Sequence, residues 1–327
     1  MGRHDAGARS GPRVVALGGG HGLAASLGAL RRLTDNLTAV VTVADDGGSS
    51  GRLRDELRTL PPGDLRMALV ALADESSEAT DWAAAFHHRF PGDGPLGGHA
   101  LGNLVLTGLS QSSGSPVRAL DLAAQLLGVR GRVLPLSTAD LEIVADVVAS
   151  PGPPPVGSVV RGQVAVATTR GRVISVRLEP ATPPACPEAV DAVLAAEWVM
   201  FGPGSLFTSV IPHLLVPEMR EALVKTGARR VVALNLVAQV GETSGYSPEA
   251  HLAALAAHAP DLQVDHVVVD EGVLDRDGLM DAAAALGAQV CFAPVAAQDS
   301  PERHDPARLA SAYATVMAQG RTAAGEE

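Results

Sequence analysis

A chain of 327 residues accommodates one large α/β domain or two small ones. Its formal charge of −11 argues against a nucleic-acid partner, which wants a basic face, and with only 3% aromatic residues its core must be aliphatic. Cys186 and Cys291 show no metal or redox spacing, no run of about eighteen apolar residues occurs, and the first residues carry no signal-peptide core. A cytoplasmic protein without a membrane span is expected.

Strand and helix patterns alternate from the start. The run over 14–17 predicts a strand, 23–33 a helix with Leu23, Leu27 and Leu30 on one face, 38–43 a second strand and 52–59 a second helix. Further helices are expected over 65–73, 81–89 and 101–110. Such alternation implies βαβ units around a parallel sheet. Residues 132–180 change character. Two β-branched runs, 159–168 and 172–178, are joined by Thr169-Arg170-Gly171 and predict a hairpin, with a proline-rich loop over 151–155 before it. An antiparallel insertion carried by the main domain is expected there. Strands resume over 198–201, 231–234 and 267–269, with helices over 191–195, 219–226, 248–258 and 277–286. The expected organisation is a disordered tail over 1–12, one domain over 13–318 with its insertion at 132–180, and a flexible tail over 319–327.

The strand ends carry the chemistry. The first runs into Gly18-Gly19-Gly20-His21-Gly22-Leu23, and Gly20, Gly22 and Ala25 fit the G-x-G-x-x-A dinucleotide fingerprint. Glycine lets a backbone approach phosphate, and the N–H groups of a helix start then bind it. The plain alternative is a turn that serves only close packing. The second strand stops at Asp45-Asp46, before Gly47-Gly48-Ser49-Ser50-Gly51-Arg52. Asp45 stands where a ribose-binding carboxylate belongs, which makes NAD one expectation. Coordination of Mg²⁺ by Asp45 or Asp46 is the other, because hard oxygen ligands suit that ion. One carboxylate is expected on ligand or metal and its neighbour on the Ser49–Arg52 turn.

Asp64 and Arg66 follow Pro61-Pro62-Gly63 at a helix start. Arg66 could hold a phosphate as a fork, or pair with Asp64 or Glu56. Gly202-Pro203-Gly204-Ser205 repeats the phosphate-cradle pattern after a strand, with Leu206 opening a helix; a tight structural turn is the alternative. Asn235 ends the next strand, and Gln239, Glu242 and Thr243 behind it could read a base or sugar edge or bond within their loop. The ten histidines form no metal set, and no Walker loop is present.

These segments, with Gly98-His99-Ala100-Leu101-Gly102-Asn103-Leu104, Leu206-Phe207-Thr208-Ser209, Gln239-Val240-Gly241-Glu242-Thr243 and Arg303-His304-Asp305, resemble the YvcK group of the CofD-like superfamily. Its members are labelled gluconeogenesis factors. Seven motifs in the family's order span residues from about 13 to 310. The resemblance implies an α/β, Rossmann-like three-layer sandwich with a mainly parallel sheet and a site at the strands' carboxyl edge. It adds His99, Asn103, Thr208, Arg303 and His304 to the ligand-binding candidates above. It also implies binding of UDP-N-acetylglucosamine, a role in cell shape and cell-wall precursor supply during growth on gluconeogenic carbon, and a protein partner in amino-sugar synthesis. More distant CofD-like enzymes transfer a phosphate-containing lactyl group to a deazaflavin. His21, Met67 and Val237-Ala238 stand where the group more often has Thr, Asn and Met-Thr, which touches base or sugar recognition and leaves the phosphate loops intact. Two readings stay open: a non-catalytic nucleotide-sugar sensor, and an Mg²⁺-dependent transferase. Whether the chain forms a homo-oligomer is also open.

Overall fold

Short aliphatic runs that are apolar on both faces suit a parallel sheet covered on two sides. In the computed structural model, which describes residues 10–148, 157–239 and 241–323, they become such a sheet. In chain order the strands are β1 Val14–Gly18, β2 Leu37–Val41, β3 Arg132–Pro135, β4 Glu142–Val148, β5 Gly157–Arg161, β6 Arg172–Glu179, β7 Trp198–Phe201, β8 Arg229–Ala233, β9 His266–Asp270, β10 Gln289–Ala293, β11 Ala296–Ala297 and β12 Ser300–His304. Seven pair in parallel in the order β10-β9-β8-β7-β1-β2-β3. The residues of β1 and β7 are all buried, so the sheet centre is also the centre of the core.

The helices are α1 Gly20–Leu30, α2 Gly48–Leu57, α3 Gly63–Ala71, α4 Ser77–His87, α5 Leu101–Ser113, α6 Pro116–Leu126, α7 Gln163–Ala167, α8 Pro187–Ala195, α9 Pro212–Leu215, α10 Pro217–Lys225, α11 Pro248–His258, α12 Arg276–Ala284 and α13 Pro306–Ala323. A π-helical turn, Leu206–Val210, precedes α9. On one side α1 packs between α3 and α13, while α8 and α10 pack together outside the opposite half of the chain's crossovers. Right-handed connections account for this: β1 to β3 build outward in one direction and β7 to β10 in the other, so their helices fall on opposite faces. The expected three-layer α/β fold is present.

Three expectations need correction. Residues 159–178 are not a hairpin; β5 and β6 each pair with β4, giving a three-stranded antiparallel sheet in the order β5-β4-β6, and the second half of the first run is α7. Alternation shows that a run is a strand but not which strand it pairs with. The proline-rich loop over 151–155 lies outside the described residues. The insertion also begins later than 132, because Arg132–Pro135 joins the main sheet beside β2. Finally, 319–323 continue α13, and Ser10 and Pro12 accept hydrogen bonds from Asp35 and Thr34, so neither expected tail begins where the sequence suggested. The rest of those tails, 1–9 and 324–327, lies outside the described residues. No described helix is long and apolar enough to cross a membrane.

Candidate ligand site at the sheet switch point

The chain reverses its direction of travel across the sheet between β1 and β7, and a crevice outside the carboxyl ends of such strands is where open α/β sheets bind ligands. The turn after β1 and the turn after β7 meet there. A side chain on Gly22 would overlap the backbone of Pro203 and Gly204. Glycine at 22 therefore serves contact between two loops, and the space that a dinucleotide fingerprint leaves for pyrophosphate is filled by protein backbone.

On the other side of the α1 N-terminus sit two carboxyls. A side chain on Gly19 would strike Asp64 and Thr42, and Asp64 accepts the backbone N–H of Gly20. Burial, reinforced by the charge of Asp45, pushes the Asp64 carboxyl up to about 7. Asp45 itself accepts the N–H of Gly47 at 2.9 Å and borders Gly63, the residue before Asp64. Asp46 points away and accepts the N–H of Val164 at 2.8 Å, where it caps α7 of the insertion. The carboxylates brought together are thus Asp45 and Asp64, not Asp45 and Asp46. Their chemistry fits a hard divalent cation: two oxygen donors, one of them desolvated and in like-charge repulsion with the other. Among the described residues no cluster of three metal-ligating side chains occurs, so such an ion would take further ligands from substrate or water.

Beneath them runs a buried polar chain. Arg66, 5% exposed, donates from Nε to Asn103 Oδ1 at 2.9 Å and from a terminal nitrogen to His87 Nδ1 at 2.6 Å. Asn103 donates to Ser49 Oγ at 3.0 Å, and Ser49 Oγ lies 2.9 Å from His99 Nδ1. Burial and then the charge of Arg52 hold the His99 imidazole below its ordinary pKa, so the Ser49 hydroxyl donates to a neutral ring. Ser50 accepts the N–H of Gly63 at 3.0 Å. Every member has a partner, which makes this a rigid mount for the α2 and α3 N-termini.

The turn after β7 is closed from within. Glu242, 1% exposed, accepts the N–H groups of Phe207 and Thr208, the Thr208 hydroxyl and the Ser205 side chain. Asn235 accepts the N–H of Gly204 at 2.9 Å and donates back to its carbonyl at 2.8 Å. Thr243, fully buried, accepts the N–H of Gln239 at 2.8 Å. Between this wall and α1 a cleft of ≈ 200 Å³ opens, bordered by His21, Gly22, Asn235, Gln239, Arg303 and His304. The Gln239 side-chain oxygen is buried there without a partner among the described residues.

A family profile described as 2-phospho-L-lactate transferase CofD matches residues 14–319. The chain belongs to the CofD family. A Mycobacterium tuberculosis protein named "Putative gluconeogenesis factor" is 54% identical over 310 residues, which cover 94% of this chain and 90% of that one. The "Gluconeogenesis factor" of Bacillus subtilis is 38% identical over 259 residues, 79% of this chain and 78% of that one. The crystal structure of a UPF0052-family protein from Bacillus halodurans superposes with a TM-score of 0.83 at 34% identity, over 93% of this chain and 98% of that one.

In this CofD-family chain the structure divides the candidates drawn from sequence. His21, Gly22, Gly204, Asn235, Gln239, Arg303 and His304 line one cleft. Gly19, Gly20, Asp45 and Asp64 form its carboxyl flank. Leu23 is a core side chain, 1% exposed, and its N–H is spent on Gly19; Gly18 packs against it. Arg52 donates to the carbonyls of Pro95 and Gly97, so it clamps a loop instead of a phosphate. Arg66 neither pairs with Asp64 or Glu56 nor stands open; it holds Asn103 and His87. In the 202–208 turn, expected to meet a phosphate, the N–H groups of Gly204, Phe207 and Thr208 are taken by Asn235 and Glu242, and Gly202 and Ser205 belong to that turn. Sequence reasoning missed the contact of His87 with Arg66, and Glu302 in the cleft wall. The neighbouring pair His87-His88 was visible as a pair, but nothing in its spacing pointed to Arg66.

Proposed function

We propose that this protein binds a nucleotide sugar, with UDP-N-acetylglucosamine the foremost candidate, and acts as a regulatory factor in cell-wall precursor supply during gluconeogenic growth. The observation that carries this is the cleft at the switch point. His21 and Gly22, in the first turn of α1, line one end of it, where a helix start attracts phosphate. Arg303 borders the same cleft and, paired only with exposed Asp299 at 2.9 Å, is free to exchange that partner for a diphosphate. The unpaired Gln239 oxygen is an acceptor for a base or sugar N–H or hydroxyl. The NAD reading has less support, because the fingerprint's second glycine is occupied by Pro203.

Calorimetric titration with UDP-N-acetylglucosamine, NAD and GTP, with and without Mg²⁺, tests this. Saturable binding of the uridine nucleotide is expected, weakened at least about tenfold by Arg303→Ala, the worth of a charged hydrogen bond. Equal affinity in that folded variant removes Arg303 from the site, and no binding of any uridine nucleotide removes the reading.

A second reading, an Mg²⁺-dependent transferase of a phosphoryl-containing group, is favoured by one observation, the pairing of Asp45 with Asp64. A bound divalent ion there would stabilise negative charge developing on phosphate oxygens. Asp45 and Asp64 would hold it, while Gly20 N–H, already given to Asp64, keeps that carboxyl oriented. Mg²⁺-dependent turnover of a nucleotide donor, lost in Asp45→Asn and kept in Asp46→Asn, is the outcome that selects this reading over the sensor.

A further inference from the structure

We propose that two copies of this chain join edge to edge through β10, antiparallel about a two-fold axis at Cys291, so that one sheet runs through both. The surface lies at the end of the sheet, away from the switch point between β1 and β7, and the inference does not rest on either ligand reading.

β10 is a terminal strand, and no other described strand pairs along its outer side. Gln289 donates its N–H to the Asp265 carbonyl at 2.9 Å, and the Ala293 carbonyl accepts the N–H of Glu271 at 3.1 Å. Residues 289, 291 and 293 therefore turn their backbone polar groups towards β9, and those of Val290 and Phe292 point outward. Such a row is a template for another strand, and proteins protect it with charge or proline. The opposite terminal strand has that protection: β3 opens on Arg132 and ends on Pro135. β10, Gln289-Val290-Cys291-Phe292-Ala293, has neither.

The pattern selects a second copy as the occupant. The outward groups flank Cys291 symmetrically, so in an antiparallel pair Val290 and the partner's Phe292 exchange both main-chain hydrogen bonds. Phe292 does the same with the partner's Val290. Both residues lie on the α12 face of the strand, where the Arg276 guanidinium stands 4.5 Å from the Phe292 ring centroid. Each bonded pair is then also a β-branched–aromatic pair, a favourable cross-strand combination. Because β10 is uncharged, two copies meet there without repulsion, although the whole chain carries −11.

α12 supplies a second contact. Leu279 and Ala283 face the core, and Gly278 and Ala282 on one flank are half-buried, as packing beside α11 requires. Met280 lies on the other flank and is 44% exposed. It stands one helical turn, about 5.4 Å, from Arg276, which sets it about level with Val290, close to the axis. There it meets the partner's Met280.

Sedimentation equilibrium and copper-phenanthroline oxidation of the full-length protein test this. A dimer is expected. Cys291 faces the partner's Cys291 in a non-hydrogen-bonded pair, with Cα atoms about 4.5 Å apart, a separation that a disulfide spans. Oxidation should therefore give a covalent dimer that Cys291→Ser abolishes and Cys186→Ser keeps, since Cys186 is buried. Val290→Pro deletes an outward donor that the sheet itself does not use, and Met280→Asp sets two like charges at the axis. Each should raise the dimer Kd at least about tenfold with unchanged far-UV circular dichroism. Leu194→Asp, at an exposed position on α8, should leave the Kd as it is. A monomer throughout, a dimer as tight in both β10 and α12 variants as in the parent, one that Leu194→Asp dissociates instead, or one that forms no Cys291 cross-link overturns the proposal.

Discussion

Glu242 accepts the backbone N–H of Thr208 at 2.8 Å, and this contact fills the start of the second glycine turn's helix from within the chain. A carboxylate of the chain itself occupies the N-terminus of the π-helical turn, the place an external phosphate would take. In the proposed function that role falls to the α1 N-terminus.

Replacing Glu242 by Ala should therefore be costly. The buried N–H groups of Phe207 and Thr208 would lose their acceptor, at about 1–3 kcal/mol for each buried donor left unsatisfied. Glu242→Gln keeps an acceptor oxygen and should lose less. Urea unfolding of the three proteins checks this; an alanine variant as stable as the parent contradicts the capping role.

Asp64 makes stability depend on pH in an unusual direction. The unfolded chain releases the Asp64 proton near the ordinary 3.8, whereas the folded chain keeps it until about 7. Between these values the native state binds more protons, so the stability it gains below 3.8 is lost as pH rises through 7. Asp64→Asn, which keeps an acceptor for Gly20, should unfold at higher urea than the parent at pH 8, by roughly 2–4 kcal/mol, and show little difference at pH 3. Mg²⁺ should stabilise the parent at pH 8 and leave the variant unaffected. A variant less stable than the parent at pH 8 would show that the carboxyl is not under strain.

Gly22→Ala places a methyl group against the Pro203 and Gly204 backbone, which has no flexible end to move aside. A loss of about 1–3 kcal/mol is expected, together with loss of nucleotide-sugar affinity, because the cleft's two walls are pushed apart. Gly108→Ala, in the exposed interior of α5 with nothing near its missing Cβ, should instead stabilise by about 0.5–1 kcal/mol. Thermal unfolding and calorimetry of both variants provide the comparison, and equal effects would refute the close-approach argument.

Much of this fold was legible in the chain. The helix over 248–258 is predicted to the residue, because Ser247 caps it by accepting the Ala250 N–H, Pro248 opens it, and its alanines and leucines are strong helix formers. The parallel strands β1 and β7 are nearly as clear, being short apolar runs that end at glycine. Gly48-Ser49-Ser50-Gly51 was not legible: it reads as a turn and is the first turn of α2. Serine and glycine are weak helix formers, and the segment is helical because Ser49 and Ser50 are anchored by Asn103, His99 and Gly63, up to 54 residues away.

By itself, then, the sequence determined that two glycine turns follow two parallel strands at one sheet edge, since strand period, turn residues and helix starts are local properties. It also placed Asp45, Asp64 and Arg303 near that edge. Only the tertiary structure decided what each donor and carboxyl is free to do. The N–H groups of the second turn are spent on Glu242, 34 and 35 residues further along, while Asp46 is drawn to the insertion 118 residues on, and Asp64 comes to lie beside Asp45. A buried hydrogen-bonding group takes whichever partner folding brings to it, and that partner cannot be read from spacing along the chain.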